Sequence, residues 1–150
     1  MNYNIQPKVS VVMSVFNGEQ YLSEAIESIL AQTFNDFEFI IINDGSTDSS
    51  LSIATKYKEL DNRIILITRE NKGLIASLNE GISIAKGKYI ARMDADDISL
   101  PNRLEIQVGY MESNPEISLS GMWAKKVFEG RAPLLSRIFN KIKHPLTDNN

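Results

Sequence analysis

The chain predicts an α/β fold, a mostly parallel sheet flanked by helices, and two observations carry that reading. Four short β-branched or apolar runs alternate with four stretches whose apolar residues recur at helical spacing. The intervals between the runs suit right-handed βαβ crossovers. A third observation says where the chemistry lies: three carboxylates, Asp94, Asp96 and Asp97, stand directly behind the fourth run.

The elements follow in order. Val9-Ser10-Val11-Val12-Met13-Ser14-Val15 reads as a buried strand. Tyr21, Leu22, Ala25, Ile26, Ile29 and Leu30 form a helical stripe, with Glu24 and Glu27 opposite. Phe37–Ile42 is the second strand, Asp44-Gly45-Ser46-Thr47-Asp48 a turn with capping residues, and Leu51, Ala54, Tyr57 and Leu60 the next helix. Ile64–Ile67 is the third strand. Leu74, Ile75, Leu78, Ile82 and Ala85 predict a helix face that Gly87 closes at its C-terminus. Tyr89–Met93 is the fourth strand, and a helix opens at Pro101 and runs to Ser113. Ile117–Gly121 predicts one more short strand. From about Glu129 the character changes: Arg131, Arg137, Lys141 and Lys143 interleave with Leu134, Leu135, Ile138, Phe139 and Ile142. This pattern fits a basic amphipathic helix or the start of a further region. Residues 1–128 are therefore expected to form one domain, and 129–150 a tail or an incomplete second region.

Composition excludes several classes. At 150 residues the chain fits one domain and can bury a real core. A hydrophobic fraction of 43% and a charged fraction of 23% are ordinary for a globular protein. The net charge of −3 is unlike the basic footprint of a nucleic-acid binder. Cysteine is absent, which excludes disulfides and thiolate metal sites and fits a reducing compartment. Met1–Lys8 lacks the layout of a signal peptide, and no run approaches the roughly 18 apolar residues of a membrane span. A soluble, cytoplasmic protein is the expectation.

In open α/β sheets ligands bind beyond the carboxyl ends of the strands. Behind the first strand comes Phe16-Asn17-Gly18-Glu19, behind the second Asn43-Asp44-Gly45-Ser46, behind the third Arg69-Glu70-Asn71-Lys72-Gly73, and behind the fourth Asp94-Ala95-Asp96-Asp97. Neighbouring carboxylates raise each other's pKa and resist shared ionisation, so a cation is expected there. Hard divalent cations choose oxygen ligands. The rim as a whole suits a nucleotide diphosphate: a base stacks on Phe16, a carboxylate such as Asp44 accepts an N–H from it, and a metal neutralises the pyrophosphate. Each residue also has a plainer role. Phe16 can be a core aromatic at a strand end, Asp44 an Asx turn or N-cap, and Arg69 a solvated charge. Gly73 and Gly87 suit turns and caps, and one aspartate of the cluster can cap the helix after Pro101. There is no Walker motif and no Gly-x-Gly-x-x-Gly. Convergence at one edge carries the case.

Longer segments carry a resemblance. They are Val9–Asn17, Ala25-Ile26-Glu27-Ser28-Ile29-Leu30-Ala31-Gln32-Thr33-Phe34, Ile41-Ile42-Asn43-Asp44-Gly45-Ser46-Thr47-Asp48, Asn71-Lys72-Gly73-Leu74, and Asp94-Ala95-Asp96-Asp97 with Pro101 and Arg103. In this order and spacing the chain resembles the family 2 glycosyltransferases of the GT-A fold across nearly its whole length. The resemblance implies a Rossmann-like nucleotide-binding half that takes a nucleotide-sugar donor, usually a UDP-sugar. It implies donor contacts from Ser14, Phe16, Asn17, Asp44, Arg69, Asn71, Gly73 and Asp94. It further implies Mg²⁺ or Mn²⁺ at the Asp-x-Asp element, held by Asp96 first and by Asp94, which also lies close to the donor sugar and ribose. Asp44 would read the base, and Phe16 stands where the family often has a stacking Tyr, keeping the ring without the hydroxyl.

Asn140-Lys141-Ile142-Lys143-His144-Pro145 resembles the family's Asn-x-Ile-x-His-Pro segment, which leads into an acceptor half carrying the catalytic base. That base is expected beyond residue 150. The implied activity is inverting transfer to a glycan, lipid-linked or protein acceptor, in the synthesis of surface polysaccharide or glycoconjugate. The basic tail suggests peripheral contact at the inner face of the cell membrane, and an unfinished half exposes apolar surface suited to self-association. Two other readings compete. A haloacid-dehalogenase-like phosphatase places its Asp-x-Asp after the first strand, followed by Thr or Val; here it follows the fourth, with Asp97 next. A non-catalytic, metal-dependent nucleotide-binding or assembly module stays open.

Overall fold

The structure is a computed structural model that describes residues 6–122, 124 and 125. Strands and helices alternate: β1 (Val9–Val15), α1 (Leu22–Leu30), β2 (Phe37–Asp44), α2 (Ser50–Leu60), β3 (Ile64–Arg69), α3 (Leu74–Ile84), β4 (Tyr89–Asp94) and α4 (Arg103–Ser113). The four strands form one parallel sheet in the order β3-β2-β1-β4. The expected α/β class, with its mostly parallel sheet flanked by helices, is the observed one. The chain builds outward from β1 to β3 and then returns to the other side of β1. The strand order thus reverses between β1 and β4, and such a switch point opens a crevice at the carboxyl edge.

Burial explains which runs became strands. All eight residues of β2 are buried, as befits a central strand covered on both faces. On one face Val11, Met13, Phe39, Ile41 and Met93 cluster with Ala25, Ile26, Ile29, Ala54 and Leu104 from α1, α2 and α4. On the other, Val12, Ile40 and Ile42 meet Leu78 and Ala85 at α3. Each fully buried Ile or Leu in these layers contributes about 1.5–3 kcal/mol.

Several expectations are corrected. In α3 only part of the expected stripe packs on the sheet: Leu78 and Ala85 do, whereas Leu74, Ile75 and Ile82 are exposed and Ser77 and Gly81 are the buried positions. A Cβ on Gly81 would lie 2.5 Å from Val12 Cγ1, so small residues set how closely α3 approaches the sheet. Gly87 does not cap α3, which ends at Ala85 in an extended conformation. Gly87 instead passes against β1, where a Cβ would lie 2.3 Å from the Ser10 amide nitrogen. The helix expected to open at Pro101 begins at Arg103. Three strands run further than the sequence suggested, to Asp44, Arg69 and Asp94, so these side chains stand on rigid backbone.

The chain divides into two units, Met1–Glu116 and Ile117–Asn150. In the second, the described residues 117–122, 124 and 125 hold no regular secondary structure. The strand expected at Ile117–Gly121 is therefore not formed. Strands need a neighbour for their backbone groups, and Leu119 stands exposed. The basic segment after Glu129 lies outside the described residues.

Candidate functional site

The register aligns the carboxyl ends. Ser14 lies beside Ile42 on one side and Asp94 on the other, and Asp44 lies beside Arg69. Side chains alternate across a strand, so Ser14, Asp44, Arg69 and Asp94 all share the α3 face of the sheet, with Val12 and Ile42. Asn43 points to the other face, and its Oδ1 is buried with no partner among the described residues.

Asp44 is the most constrained of these groups. Its carboxylate Oδ1 accepts from Arg69 Nη1 at 2.5 Å and from the Lys72 amide at 2.9 Å, while Oδ2 accepts from the Gly73 amide at 2.8 Å. Asn71 Nδ2 donates to the Asp44 carbonyl at 2.9 Å. Only 2% of the Asp44 side chain is exposed, and burial pushes its carboxyl upward. The Lys72 amide, Arg69 and the Gly73 amide together outweigh burial and hold it below the ordinary carboxylate range. The N-cap reading of Asp44 fails, because it is the last residue of β2. The local turn bond belongs instead to Asp48, whose Oδ1 accepts the Ser50 amide. Arg69 is no solvated charge either. Its Nε donates to Glu80 at 2.6 Å, Nη1 to the Glu70 carbonyl at 2.8 Å and Nη2 to Ser77 Oγ at 2.8 Å. Gly45 (φ 75°) makes the turn after Asp44, and a Cβ there would meet the Asn71 amide nitrogen at 2.6 Å.

Phe16 is 53% exposed at the rim, which removes the core-aromatic reading. The loop carrying it is pinned to the loop after β2. Asn17 adopts φ 52°, its amide donates to Ser46 Oγ at 3.0 Å, and its Oδ1 accepts the Thr47 amide at 2.8 Å. The Gly18 amide donates to Ser50 Oγ at 2.9 Å and the Glu19 amide to Asp48 Oδ2 at 3.0 Å, while Glu19 Oε2 accepts the Ser49 amide at 2.8 Å. Donors and acceptors run both ways between the loops.

Asp94–Asp97 forms a turn closed by the Asp97 amide on the Asp94 carbonyl at 3.2 Å. The Asp94 carboxylate is forked by Arg92, whose Nη2 lies 2.8 Å from Oδ1 and 3.1 Å from Oδ2. Asp96 is exposed. Burial, then the charges of Asp94 and Asp96, push the Asp97 carboxyl upward. Among the described residues no three acidic or histidine side chains converge into a ready metal cage. The carboxylate donors of this turn still fit a hard cation that draws its remaining ligands from bound phosphates and water, the usual habit of Mg²⁺. Behind the turn, Arg103 Nη2 donates to the Arg92 carbonyl at 2.8 Å.

The structure thus ties Asp44, Arg69, Asn71 and Gly73 into one network, seats Phe16 and Asn17 on a braced loop, and sets Ser14 beside Asp94. Sequence reasoning missed Ser46, Ser50, Ser77 and Glu80, small or charged residues of ordinary appearance that hold the rest.

Residues 10–150 match the family model described as Glycosyl transferase family 2. The chain belongs to that family. A Haemophilus influenzae protein named as an uncharacterized glycosyltransferase is 41% identical over 148 residues, covering 96% of this chain and 46% of that protein. The putative glycosyltransferase EpsE of Bacillus subtilis is 48% identical over 120 residues, covering 79% of this chain and 43% of that protein. The chain thus spans a little under half the length of these two relatives. Among solved structures, S. aureus TarS in complex with UDP-GlcNAc is similar with a TM-score of 0.67 and 27% identity, over 72% of this chain and 32% of that one. The mannosyltransferase PcManGT from Pyrobaculum calidifontis, in complex with GDP-Man and Mn²⁺, shares the fold with a TM-score of 0.58 and 23% identity, over 63% of this chain and 29% of that one. The sheet of this family 2 chain is accordingly the Rossmann-like GT-A arrangement. No helix among the described residues is long and apolar enough to cross a membrane.

Proposed function

We propose that the chain binds a nucleotide-diphosphate sugar, in the first place a UDP-sugar, together with Mg²⁺ or Mn²⁺, as the donor half of an inverting glycosyltransferase. Residues 1–128 form that half and 129–150 lead toward the acceptor side. One observation carries the reading: an exposed ring, a bonded carboxylate network and an acidic turn lie along one edge of the sheet, at its switch point, in a family 2 chain similar to a protein solved with UDP-GlcNAc.

The geometry and the family resemblance support the following roles. Phe16 offers its free face to the base, on a loop that Asn17 holds. Asp44 Oδ1 already takes two donors and Oδ2 one, so Oδ2 is the oxygen with more room for a base N–H. Arg69 has five N–H groups and uses four, so its chief task is to hold Asp44 ionised and oriented. Asn71 and Gly73 shape the same pocket through the Asp44 carbonyl and carboxylate. Ser14 and Asp94 stand nearest the sugar and ribose. Asp96, with Asp94, would hold the divalent cation, whose chemistry when bound is to stabilise the negative charge of the departing diphosphate. The base that deprotonates the acceptor hydroxyl belongs to the acceptor half. The acceptor is a glycan, a lipid-linked sugar or a protein. The setting is the cytoplasm at the inner face of the cell membrane, in cell-surface polysaccharide or glycoconjugate synthesis.

Calorimetry with UDP, with and without Mn²⁺, tests the site. Asp96→Ala is expected to remove the Mn²⁺-dependent part of UDP binding and leave thermal melting unchanged. A variant that still binds UDP as tightly in Mn²⁺ overturns the assignment. A radiolabelled-donor assay then asks whether this chain alone turns the donor over, with little or no transfer expected. Robust transfer to an acceptor would show that the base lies within residues 1–150.

A further inference from the structure

Helix α1 runs out into Ala31-Gln32-Thr33-Phe34, a segment with no part in the site described so far. Gln32 is 3% exposed and uses both ends of its amide. Nε2 lies 2.7 Å from the Leu100 carbonyl, 3.0 Å from the Ser28 carbonyl and 3.3 Å from Ser99 Oγ, and Oε1 accepts the Leu104 amide at 3.0 Å. Two neighbours grip the same stretch. Ser28 Oγ accepts the Ser99 amide at 3.0 Å, and the Thr33 amide donates to the Pro101 carbonyl at 2.8 Å.

Residues 98–102 connect the acidic turn to α4 and belong to neither helix nor strand. Buried backbone groups outside regular structure must find partners elsewhere, and here the end of α1 supplies them. Ser99 follows Asp97 by only two residues, so whatever fixes Ser99 and Leu100 also fixes the exit of the turn. The same amide takes one of the orphan N–H groups in the first turn of α4.

We propose that Gln32 is a positioning residue for the acidic turn, clamping the backbone behind it so that Asp94 and Asp96 keep one relative placement toward a divalent cation. The inference rests on the donor-site reading above and deepens it. Outer contacts that orient metal ligands typically change metal affinity by 10–100-fold.

The test compares wild type with Gln32→Glu, which keeps an acceptor for the Leu104 amide but turns an oxygen toward the Leu100 carbonyl. Three measurements are made: UDP calorimetry with and without Mn²⁺, the electron paramagnetic resonance of bound Mn²⁺, and thermal melting. The variant is expected to bind UDP without metal as wild type does, and to lose roughly tenfold or more of the Mn²⁺-dependent gain. A residue that only stabilises the fold would lower both affinities together. A folded Gln32→Glu that keeps the full gain, or loses both affinities equally, overturns the proposal. Should Gln32→Glu fail to fold, Ser28→Ala removes the acceptor of the Ser99 amide together with a hydroxyl bond to the Ala25 carbonyl inside α1; it is expected to show the same selective loss at a few-fold scale, and an unchanged gain there overturns the proposal as well. Absence of any Mn²⁺-dependent UDP binding in wild type would instead sink the donor-site reading, and this inference with it.

Discussion

Asp44 carries a charge that the protein itself compensates. Asn in this place turns an NH2 toward donors that now meet a carboxylate, although Glu80 still pairs with Arg69, so Asp44→Asn is expected to destabilise the chain by about 1–3 kcal/mol at pH 7, measured by urea denaturation. The pH dependence has a definite sign. A carboxyl held below its unfolded value near 3.8 stabilises the fold above that value and loses the effect as pH falls through the folded pKa. The gap between wild type and Asp44→Asn should therefore be full at pH 5–7 and narrow below about pH 4. Asn17 offers a second test. Its left-handed backbone suits Asn or Gly, and its side chain also bonds Thr47. Asn17→Ala should cost about 1–3 kcal/mol and Asn17→Gly visibly less, because glycine restores the backbone and loses only the bond. Equal losses would mean that the conformation is not strained.

At the scale of elements, three glycines separate packing from propensity. A Cβ on Gly81 meets Val12 Cγ1 at 2.5 Å, and one on Gly87 meets β1 backbone at 2.3 Å, whereas one on Gly109 in α4 finds nothing within 4 Å. Gly81→Ala should destabilise by about 1–3 kcal/mol through overpacking, and Gly87→Ala by at least as much, since backbone cannot swing aside. Gly109→Ala should stabilise by about 0.5–1 kcal/mol, as a better helix former with free space. Thermal melting of the three variants checks the order. The same residues explain what was legible. Strands β1 and β2 announce themselves because burial on both faces demands an unbroken apolar run. Helix α3 misleads because its depth is set by Ser77 and Gly81, side chains that carry almost no hydrophobic signal. Gly87 looks like a cap in the sequence, since only the fold reveals the strand lying against it.

For the whole molecule, exposed apolar side chains on α3 and β4 lead to a prediction about self-association. Ile75 is 77% exposed and Ile90 44%. Apolar groups left open in this way favour association. Sedimentation should therefore depend on concentration, and Ile75→Glu with Ile90→Lys should suppress that dependence while shifting stability by only about 0.5 kcal/mol. An unaltered concentration dependence would mean that other surfaces associate. The site follows the same logic of scale. Phe16, Asp44, Arg69 and Asp94 could be picked out because a parallel sheet gathers ligand-facing groups where its strands end. Ser46, Ser50, Glu80 and Gln32 could not, because their partners lie 11 to 72 residues away and meet them only after the crossovers close.

The bracing of the first loop by the second has a practical corollary for protein engineering. Each of those bonds joins partners 29 to 32 positions apart, and they run in both directions. Swapping in residues 16–19 from a homologue that lacks the Asn17 and Glu19 side chains orphans the Thr47 and Ser49 amides, while the amides of 17–19 keep their acceptors on Ser46, Ser50 and Asp48. Chimaeras in this region should exchange 16–19 and 46–50 as a matched cassette.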